Sequence, residues 1–215
     1  MQIAALIVAA GRGSRAGGVV PKQWQVVSGK RVIDHTIDLF AQHPKINRIM
    51  TVLHAADLQL LDTNIERAVG GNSRQASVLN GLKALSQNPP NLVLIHDVAR
   101  ASTPTHLISN VINALKTHQG AAPALPVTDA LWQSKGSIVH KSITLDGLFR
   151  AQTPQGFHFA AILAAHQKTA ITAKDDVEVA LQAGLDVAIV AGSEENIKIT
   201  HPEDFGRVGK ILKDY

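Results

Sequence analysis

Short apolar segments alternate with longer segments of helical period along the first half of the chain. The short segments are continuously hydrophobic, which is typical of parallel strands covered on both faces. The longer ones repeat apolar residues three and four positions apart, as amphipathic helices do. Strands are predicted at Ile3–Val8, Ile49–Leu53 and Leu92–Ile95, and helices at Val32–Ala41, Ser73–Leu85 and Thr105–Lys116. This order is that of βαβ units, and it predicts a doubly wound α/β sheet.

The pattern changes after Pro126. Two segments, Ala130–Gln133 and Ser137–Lys141, flank a turn that contains Gly136, which predicts a β-hairpin rather than another crossover. A hairpin alone is marginally stable, and this one carries apolar side chains such as Trp132. We therefore expect it to pack on a second subunit or back on the sheet.

Helical period returns in the last third of the chain. Helices are predicted at Phe157–Gln167 and Asp176–Ala183, a strand at Asp186–Val190, and a last helix from Pro202. The sequence contains neither an internal repeat nor a linker, so residues 1–215 are predicted to form a single domain with an arm at about 127–150.

Composition and charge narrow the function classes. Hydrophobic residues make up 45% and charged residues 18% of the chain, as in globular proteins. The net charge is +4, but the basic residues are scattered, which favours small anionic ligands over nucleic acid. Cysteine is absent, which excludes disulfides and thiolate metal sites. The apolar start, Met1–Ala10, follows no basic segment and is too short for a membrane span, so we expect no membrane partner and a cytoplasmic location.

A glycine loop directly follows the first predicted strand. It reads Ala9-Ala10-Gly11-Arg12-Gly13-Ser14-Arg15. Glycines let backbone N–H groups approach anionic oxygens, and Arg15 and Lys22 add positive charge. The loop matches neither the P-loop nor the dinucleotide-binding pattern. It predicts a phosphate-binding loop, and the alternative is a glycine turn with two solvated cations.

A second glycine segment opens the predicted helix at Ser73. Gly70 and Gly71 permit a tight turn, and Asn72 or Ser73 could cap the helix. Free N–H donors would then point at a base or a phosphate. The alternative is an ordinary helix start.

The third segment, His96-Asp97-Val98-Ala99-Arg100, ends the strand at Leu92–Ile95. Open α/β sheets bind ligands at this carboxyl edge, where Asp97 could hold Mg²⁺ or a ribose hydroxyl. The alternative is a local ion pair between Asp97 and Arg100.

Together with Gln152–Phe157 and Glu195–Thr200, these three segments resemble the 2-C-methyl-D-erythritol 4-phosphate cytidylyltransferase family over essentially the whole chain. The resemblance implies a homodimeric, Rossmann-like nucleotidyltransferase domain whose protruding arm reaches the partner subunit. It also implies Mg²⁺-dependent transfer of a cytidylyl group from CTP to a small polyol phosphate, with release of pyrophosphate, in non-mevalonate isoprenoid synthesis.

The resemblance also implies roles for individual residues. Arg15 and Lys22 would be the catalytic cations, and Asp97 would also hold the metal. The nucleotide would contact Ala9, Ala10, Gly11, Gly13, Gly71, Asn72, Ser77, Asp97 and Val98. The acceptor would contact Arg100, Lys174 and Lys198. The acceptor phosphate would attack the α-phosphorus in line, which requires positioning and charge neutralisation but no covalent intermediate.

Some positions depart from the family pattern. Among the residues expected at the nucleotide, Val8 and Asn72 occupy positions where the family usually has a proline and an aspartate. Among those expected at the acceptor, the family usually has a threonine, an arginine and a threonine where this chain has Ala130, Leu145 and Lys174. Two alternatives therefore stay open: transfer to another polyol phosphate such as ribitol 5-phosphate, or a non-catalytic nucleotide-binding relative. The presence of both Arg15 and Lys22 counts against the second.

Overall fold

An eight-stranded sheet forms the centre of the computed structural model, which describes residues 1–12, 20–61, 64–169 and 172–213. The strands are β1 (Ile3–Ala9), β2 (Val26–Val27), β3 (Lys30–Arg31), β4 (Arg48–Leu53), β5 (Glu66–Val69), β6 (Leu92–Asp97), β7 (Gly120–Pro126), β8 (Leu131–Lys135), β9 (Ile138–Ile143), β10 (Phe149–Ala151), β11 (Gln155–His158) and β12 (Val187–Ala191). The helices are α1 (Val32–Ala41), α2 (Arg74–Leu85), α3 (Thr105–Ala114), α4 (Phe159–Lys168), α5 (Asp176–Gln182) and α6 (Pro202–Ile211).

The sheet has a parallel half and a mixed half. In the parallel half, β1 lies between β4 and β6, and β5 extends the sheet beyond β4. In the mixed half, β11 runs antiparallel to both β6 and β7, β10 is antiparallel to β7, and β12 is parallel to β7. The α/β architecture predicted from the sequence is confirmed, but the sheet is not parallel throughout.

Helices cover both faces of the sheet. One core cluster joins α1 and α3 to the β1 residues Ile3, Ala5 and Ile7. The other joins α2, α4 and α5 to the alternate residues Ala4 and Leu6. Successive side chains of β1 therefore enter opposite cores, which explains why the strand is apolar at every position.

Four strands of this sheet were not predicted, namely β5, β7, β10 and β11. Their residues give weak local signals: β7 reads Gly-Ala-Ala-Pro-Ala-Leu-Pro, with two prolines that disfavour a strand. The helix predicted from Phe157 begins instead at Phe159, because Phe157 pairs with Val93 in the sheet. Pairing with distant strands, rather than local propensity, forms these elements.

A third cluster attaches the last helix beside the carboxyl edge of the sheet. Val208 of α6 packs with Val27 of β2, Val32 of α1, and Ile199. This packing fixes the chain before α6, including Lys198, next to the end of β6.

The predicted hairpin is confirmed as β8 and β9, which form their own two-stranded sheet. Gly136 has φ +60° in the turn, a conformation that favours glycine. Every β8 side chain is exposed, and Trp132 is 66% exposed. The hairpin therefore does not pack back on the sheet, and its contact with a second subunit stays a prediction.

Among the helices within the described ranges, none has the length and hydrophobicity needed to span a membrane.

We predict that Gly81→Ala destabilises the protein although alanine favours a helix. A Cβ at Gly81, in α2, would lie 2.5 Å from Leu6 Cδ1 and 2.6 Å from Val52 Cγ2. Overpacking a core costs about 1–3 kcal/mol, which exceeds the helix-propensity gain of about 1 kcal/mol. Urea unfolding measures the change.

The control is Gly206→Ala in α6, where a Cβ would meet no atom within 4 Å. This substitution should stabilise the protein by about 0.5–1 kcal/mol. If both variants shifted stability in the same direction, the close packing of α2 on β1 and β4 would be wrong.

Candidate active site

A cavity of about 540 Å³ opens at the carboxyl edge of the parallel half of the sheet. The ends of β1 and β6 and the start of α2 surround it. Of the residues predicted from the sequence, the structure brings together Ala9, Ala10, Gly11, Lys22, Gly71, Asn72, Ser77, Asp97, Val98 and Lys198. Gly13 and Arg15 lie outside the described residues.

Gln23 anchors the start of the loop after β1 through a hydrogen bond. Its Nε2 donates to the Ala9 carbonyl oxygen at 3.0 Å, and the residue is fully buried. Arg12 lines the cavity and donates to both carboxylate oxygens of Asp57 at 3.0 Å. Trp24 Nε1 also donates to Asp57. Burial raises the pKa of Asp57, but the bonds from Trp24 and Arg12 outweigh it and lower the pKa overall.

The Gly70-Gly71 turn packs directly on Ala10, in the loop that follows β1. A Cβ at Gly70 would lie 2.3 Å from Ala10 Cβ, so the close approach requires glycine. The Ser73 side chain caps α2 by accepting from the Ala76 N–H at 3.0 Å, as predicted. Ser77 Oγ accepts from the Gly71 N–H at 3.1 Å and therefore shapes the turn.

Asp97 is the central charge of the cavity. Its Oδ1 accepts from Arg74 Nε at 3.0 Å, and its Oδ2 accepts from Lys198 Nζ at 2.6 Å. Burial raises the pKa of Asp97, but the charges of Arg74 and Lys198 outweigh it and hold the pKa well below its usual range. The carboxylate pairs with these two cations, and not with Arg100 as in the alternative interpretation.

Sequence reasoning assigned no role to Arg74, which the structure places between two carboxylates. Its Nη2 donates to Asp176 Oδ2 at 2.8 Å, and Asp176 Oδ1 lies 3.1 Å from His166 Nε2. Burial lowers the pKa of Arg74, but Asp176 and Asp97 outweigh it and raise the pKa. A cation in the first turn of a helix opposes the helix dipole, so the local sequence gives no reason for Arg74 at this position.

Lys22 donates to the Ile199 carbonyl oxygen at 2.8 Å. This bond joins the segment after the glycine loop to the chain before α6, and it places the Lys22 ammonium in the lining of the cavity. The predicted catalytic position of Lys22 thus lies where its charge can reach an anionic ligand.

A second cavity, of about 350 Å³, adjoins the first at Lys198, which lines both. Arg100 lines it and is 9% exposed. Its Nη1 donates to the Asn196 carbonyl oxygen at 2.6 Å, while burial lowers the pKa of its guanidinium. Arg150 and Arg207 also line this cavity, and the sequence had not pointed to them.

Lys174 lines neither of these two cavities. Its side chain is exposed, and its backbone N–H donates to Glu178 Oε2 at 2.7 Å. Contact between Lys174 and the acceptor stays a prediction.

Similarity to known proteins identifies the family of this chain. A model of the family described as IspD, 2-C-methyl-D-erythritol 4-phosphate cytidylyltransferase, matches residues 3–214. The chain is 48% identical to the 2-C-methyl-D-erythritol 4-phosphate cytidylyltransferase of Cereibacter sphaeroides, covering 99% of this chain and 97% of that protein.

The chain belongs to the 2-C-methyl-D-erythritol 4-phosphate cytidylyltransferase family.

Further relatives include a bifunctional enzyme and two crystal structures. The chain is 51% identical to a bifunctional enzyme IspD/IspF of Ruegeria pomeroyi, covering 99% of this chain and 57% of that enzyme. The crystal structure of the cytidylyltransferase from Thermus thermophilus is similar with a TM-score of 0.83, at 28% identity and over 99% of this chain and 100% of that chain. The cytidylyltransferase from Francisella tularensis matches with a TM-score of 0.85, at 25% identity and over 99% and 100%.

His96 supports Asp97 in this cytidylyltransferase from beneath the cavity. It is fully buried, its Nε2 lies 3.3 Å from the Arg100 carbonyl oxygen, and its Nδ1 lies 3.1 Å from Thr153 Oγ. Thr153 Oγ also accepts from the Asp97 N–H at 3.2 Å, so its proton is available for His96 Nδ1. This arrangement fits a neutral imidazole that donates from Nε2.

We predict that His96 makes the protein acid-sensitive. Burial lowers the pKa of His96 from 6.5 to about 3. At pH values between these two, the unfolded chain binds a proton at His96 that the folded chain does not. The contribution of His96 to the free energy of unfolding is therefore fully present above pH 6.5 and is lost as the pH decreases. The free energy of unfolding should decrease by about 1.4 kcal/mol per pH unit in this window.

Urea unfolding of the natural chain and of His96→Gln, at about pH 7, 6, 5 and 4, tests the slope. His96→Gln changes the free energy of unfolding by a constant amount but lacks the group that titrates. The curves of unfolding free energy against pH for the two proteins should therefore converge as the pH falls. Parallel curves would contradict a neutral buried His96. The lowered pKa of Asp97 affects stability mainly below its ordinary value of 3.8, which is below the lowest pH of this series.

Proposed function

We propose that this chain transfers the cytidylyl group of CTP to 2-C-methyl-D-erythritol 4-phosphate and releases pyrophosphate. The observation that carries the proposal is the pair of adjoining cavities, which share Lys198 and lie at the carboxyl edge of the sheet. One cavity has glycine turns and small polar groups suited to a nucleotide. The other is lined by cations suited to a phosphorylated acceptor.

In the first cavity, the turn at Gly71, Asn72 and Ser77 would hold the cytosine. The loop at Ala9, Ala10, Gly11 and Gly13 would follow the triphosphate, and Asp97 and Val98 would contact the ribose. The turn that would contact the base is tight, and its glycines pack against Ala10 and Ala76.

Chemistry at the α-phosphorus requires positioning and positive charge. A phosphate oxygen of the acceptor is already anionic near neutral pH and attacks without a general base. Lys22 and Arg15 would neutralise charge that builds on the non-bridging oxygens as pyrophosphate leaves. Arg100 and Lys198 would hold the acceptor, and Lys174 would add a further charge there.

The donor set suits a divalent cation that the nucleotide and the protein bind together, rather than one that the protein binds alone. The described parts of the chain contain no cluster of three histidine, aspartate or glutamate side chains that could hold a metal. Asp97 supplies one carboxylate, and its lowered pKa keeps it ionised. Mg²⁺ typically binds one or two carboxylates together with substrate phosphates, so Asp97 would hold it and it would supply positive charge at those phosphates.

A homodimer formed through the arm belongs to the same proposal. The apolar side chains of the hairpin support it, because Trp132, Ile138 and Val139 are each more than half exposed. A cytoplasmic location also stays a prediction, as does the single domain over residues 1–215 with its arm at about 127–150.

Release of pyrophosphate from CTP, measured with a panel of polyol phosphates, tests the proposal. We expect turnover with 2-C-methyl-D-erythritol 4-phosphate at a kcat/KM well above that with ribitol 5-phosphate. A preference for ribitol 5-phosphate would support the alternative acceptor, and no turnover despite CTP binding would support the non-catalytic relative.

We predict that the enzyme selects a pyrimidine nucleotide. The Gly70-Gly71 turn packs closely against Ala10 and Ala76. A base that is bound by this tight turn and its small side chains would be a pyrimidine rather than the larger purine. ATP and GTP should give less than about 1% of the kcat/KM of CTP, which corresponds to about 2.7 kcal/mol in the transition state. Equal turnover with ATP would contradict the assignment of the base site.

We predict that Lys22→Ala lowers kcat by about 100- to 1000-fold, the usual effect of removing one transition-state donor. The CTP KM should change far less, because the charge matters most as pyrophosphate leaves. Lys83→Ala is the matched control: Lys83 is exposed on α2 and lies outside the lining of the cavity. Lys22→Ala with the kcat of the control would show that Lys22 is only structural, through its bond to Ile199.

A further inference from the structure

The second cavity has an unbalanced charge. Its lining contains four cations, Arg100, Arg150, Arg207 and Lys198, and a single carboxylate, Glu194. Lys198 is paired with Asp97 at the border with the first cavity. The excess of positive charge within a concave surface favours a small anion with more than one negative charge, such as a phosphate.

Arg100 forms the buried wall of this cavity. Its Nη1 and Nη2 donate to the carbonyl oxygens of Asn196, at 2.6 Å, and Ala151, at 3.4 Å, and its buried Nε has no hydrogen-bond partner. Guanidinium has five N–H donors, and neutral carbonyls do not balance its charge. Arg100 is thus held rigidly in place while its charge stays available to an anion.

Arg150 and Arg207 form the outer wall, from β10 and α6 respectively. Arg150 pairs with Glu194, and both side chains of that pair are more than half exposed. Arg207 lies 3.8 Å from Asp204 and is 71% exposed. Exposed ion pairs contribute little free energy, whereas arginine binds phosphate through two parallel hydrogen bonds. A phosphate can therefore replace Glu194 as the partner of Arg150.

The position of the cavity identifies which phosphate it would hold. The nucleotide occupies the first cavity in the function proposed above, and the acceptor phosphate must reach the α-phosphorus from outside it. The second cavity adjoins the first at Lys198, a residue of both linings. A phosphate between Lys198 and the three arginines would lie at this border.

We propose that Arg150 and Arg207, together with Arg100, bind the phosphate of the acceptor and so determine its specificity for phosphorylated acceptors. This inference rests on the proposed function. The three arginines would select acceptors that carry a terminal phosphate dianion, and they extend the acceptor subsite to β10 and α6.

Equilibrium binding of inorganic phosphate to the full chain saturated with CTP gives the first test. The nucleotide then fills the first cavity, and titration calorimetry reports on the second. Arg150→Gln and Arg207→Gln should each weaken phosphate binding by about 10- to 150-fold, as expected for one charged hydrogen bond. Lys210→Gln is the control, because Lys210 lies on the same helix as Arg207, is exposed, and is outside the lining.

Steady-state kinetics gives the second test. Arg150→Gln and Arg207→Gln should raise the KM of the acceptor by about the same factor and leave the CTP KM and the kcat near those of Lys210→Gln. Glu194→Gln removes the competing carboxylate and should lower the acceptor KM. A merely structural role of Arg150 would instead make Glu194→Gln and Arg150→Gln equally harmful.

Three outcomes overturn the proposal: phosphate binding by both arginine variants equal to that of Lys210→Gln, weakened phosphate binding with an unchanged acceptor KM, or a lower affinity for CTP in step with phosphate. Failure of the proposed function is separate and visible in the natural chain, which would then bind CTP without turnover of any polyol phosphate.

Discussion

The arrangement of the site depends on Asp97 lying between Arg74 and Lys198. The three residues come from the end of β6, the start of α2 and the chain before α6, and they meet at one carboxylate. A buried carboxylate is costly without partners, and two cations recover that cost. The pairing therefore fixes the relative positions of three elements that surround the first cavity, and a change to any of the three residues removes at least one of these charged hydrogen bonds.

The buried network behind Asp97 extends this constraint into the core. Arg74 continues to Asp176, which is fully buried, and Asp176 also contacts His166 of α4. The start of α5 is thus tied to the start of α2 by charge rather than by apolar packing alone. Arg74 and both carboxylates are held by charged hydrogen bonds, whereas Nδ1 of the buried His166 has no hydrogen-bond partner. Charged hydrogen bonds restrict the positions of the groups they join, and in-line phosphoryl transfer depends on such positioning.

Positive charge exceeds negative charge in the lining of both cavities. The first contains Arg12, Lys22, Arg74 and Lys198 and one carboxylate, Asp97. The second contains three arginines and Lys198 and one carboxylate, Glu194. The two carboxylates differ in burial: Asp97 is buried and Glu194 is exposed. The excess of positive charge favours anionic ligands in both cavities.

The sequence by itself determined the strongly apolar strands, most of the helices, the hairpin and the segments that line the first cavity, because their signals are local: continuous hydrophobicity, helical period, glycine turns and caps. It did not predict β5, β7, β10 and β11, which form only by pairing with other strands of the sheet. Only the tertiary structure showed that Arg74 joins Asp97 to Asp176, which lies 102 positions after Arg74 in the chain. It also showed that Arg150 and Arg207 line the same cavity. Contacts between charges far apart in the chain are set by how the elements pack, and a single sequence carries no local signal for that packing.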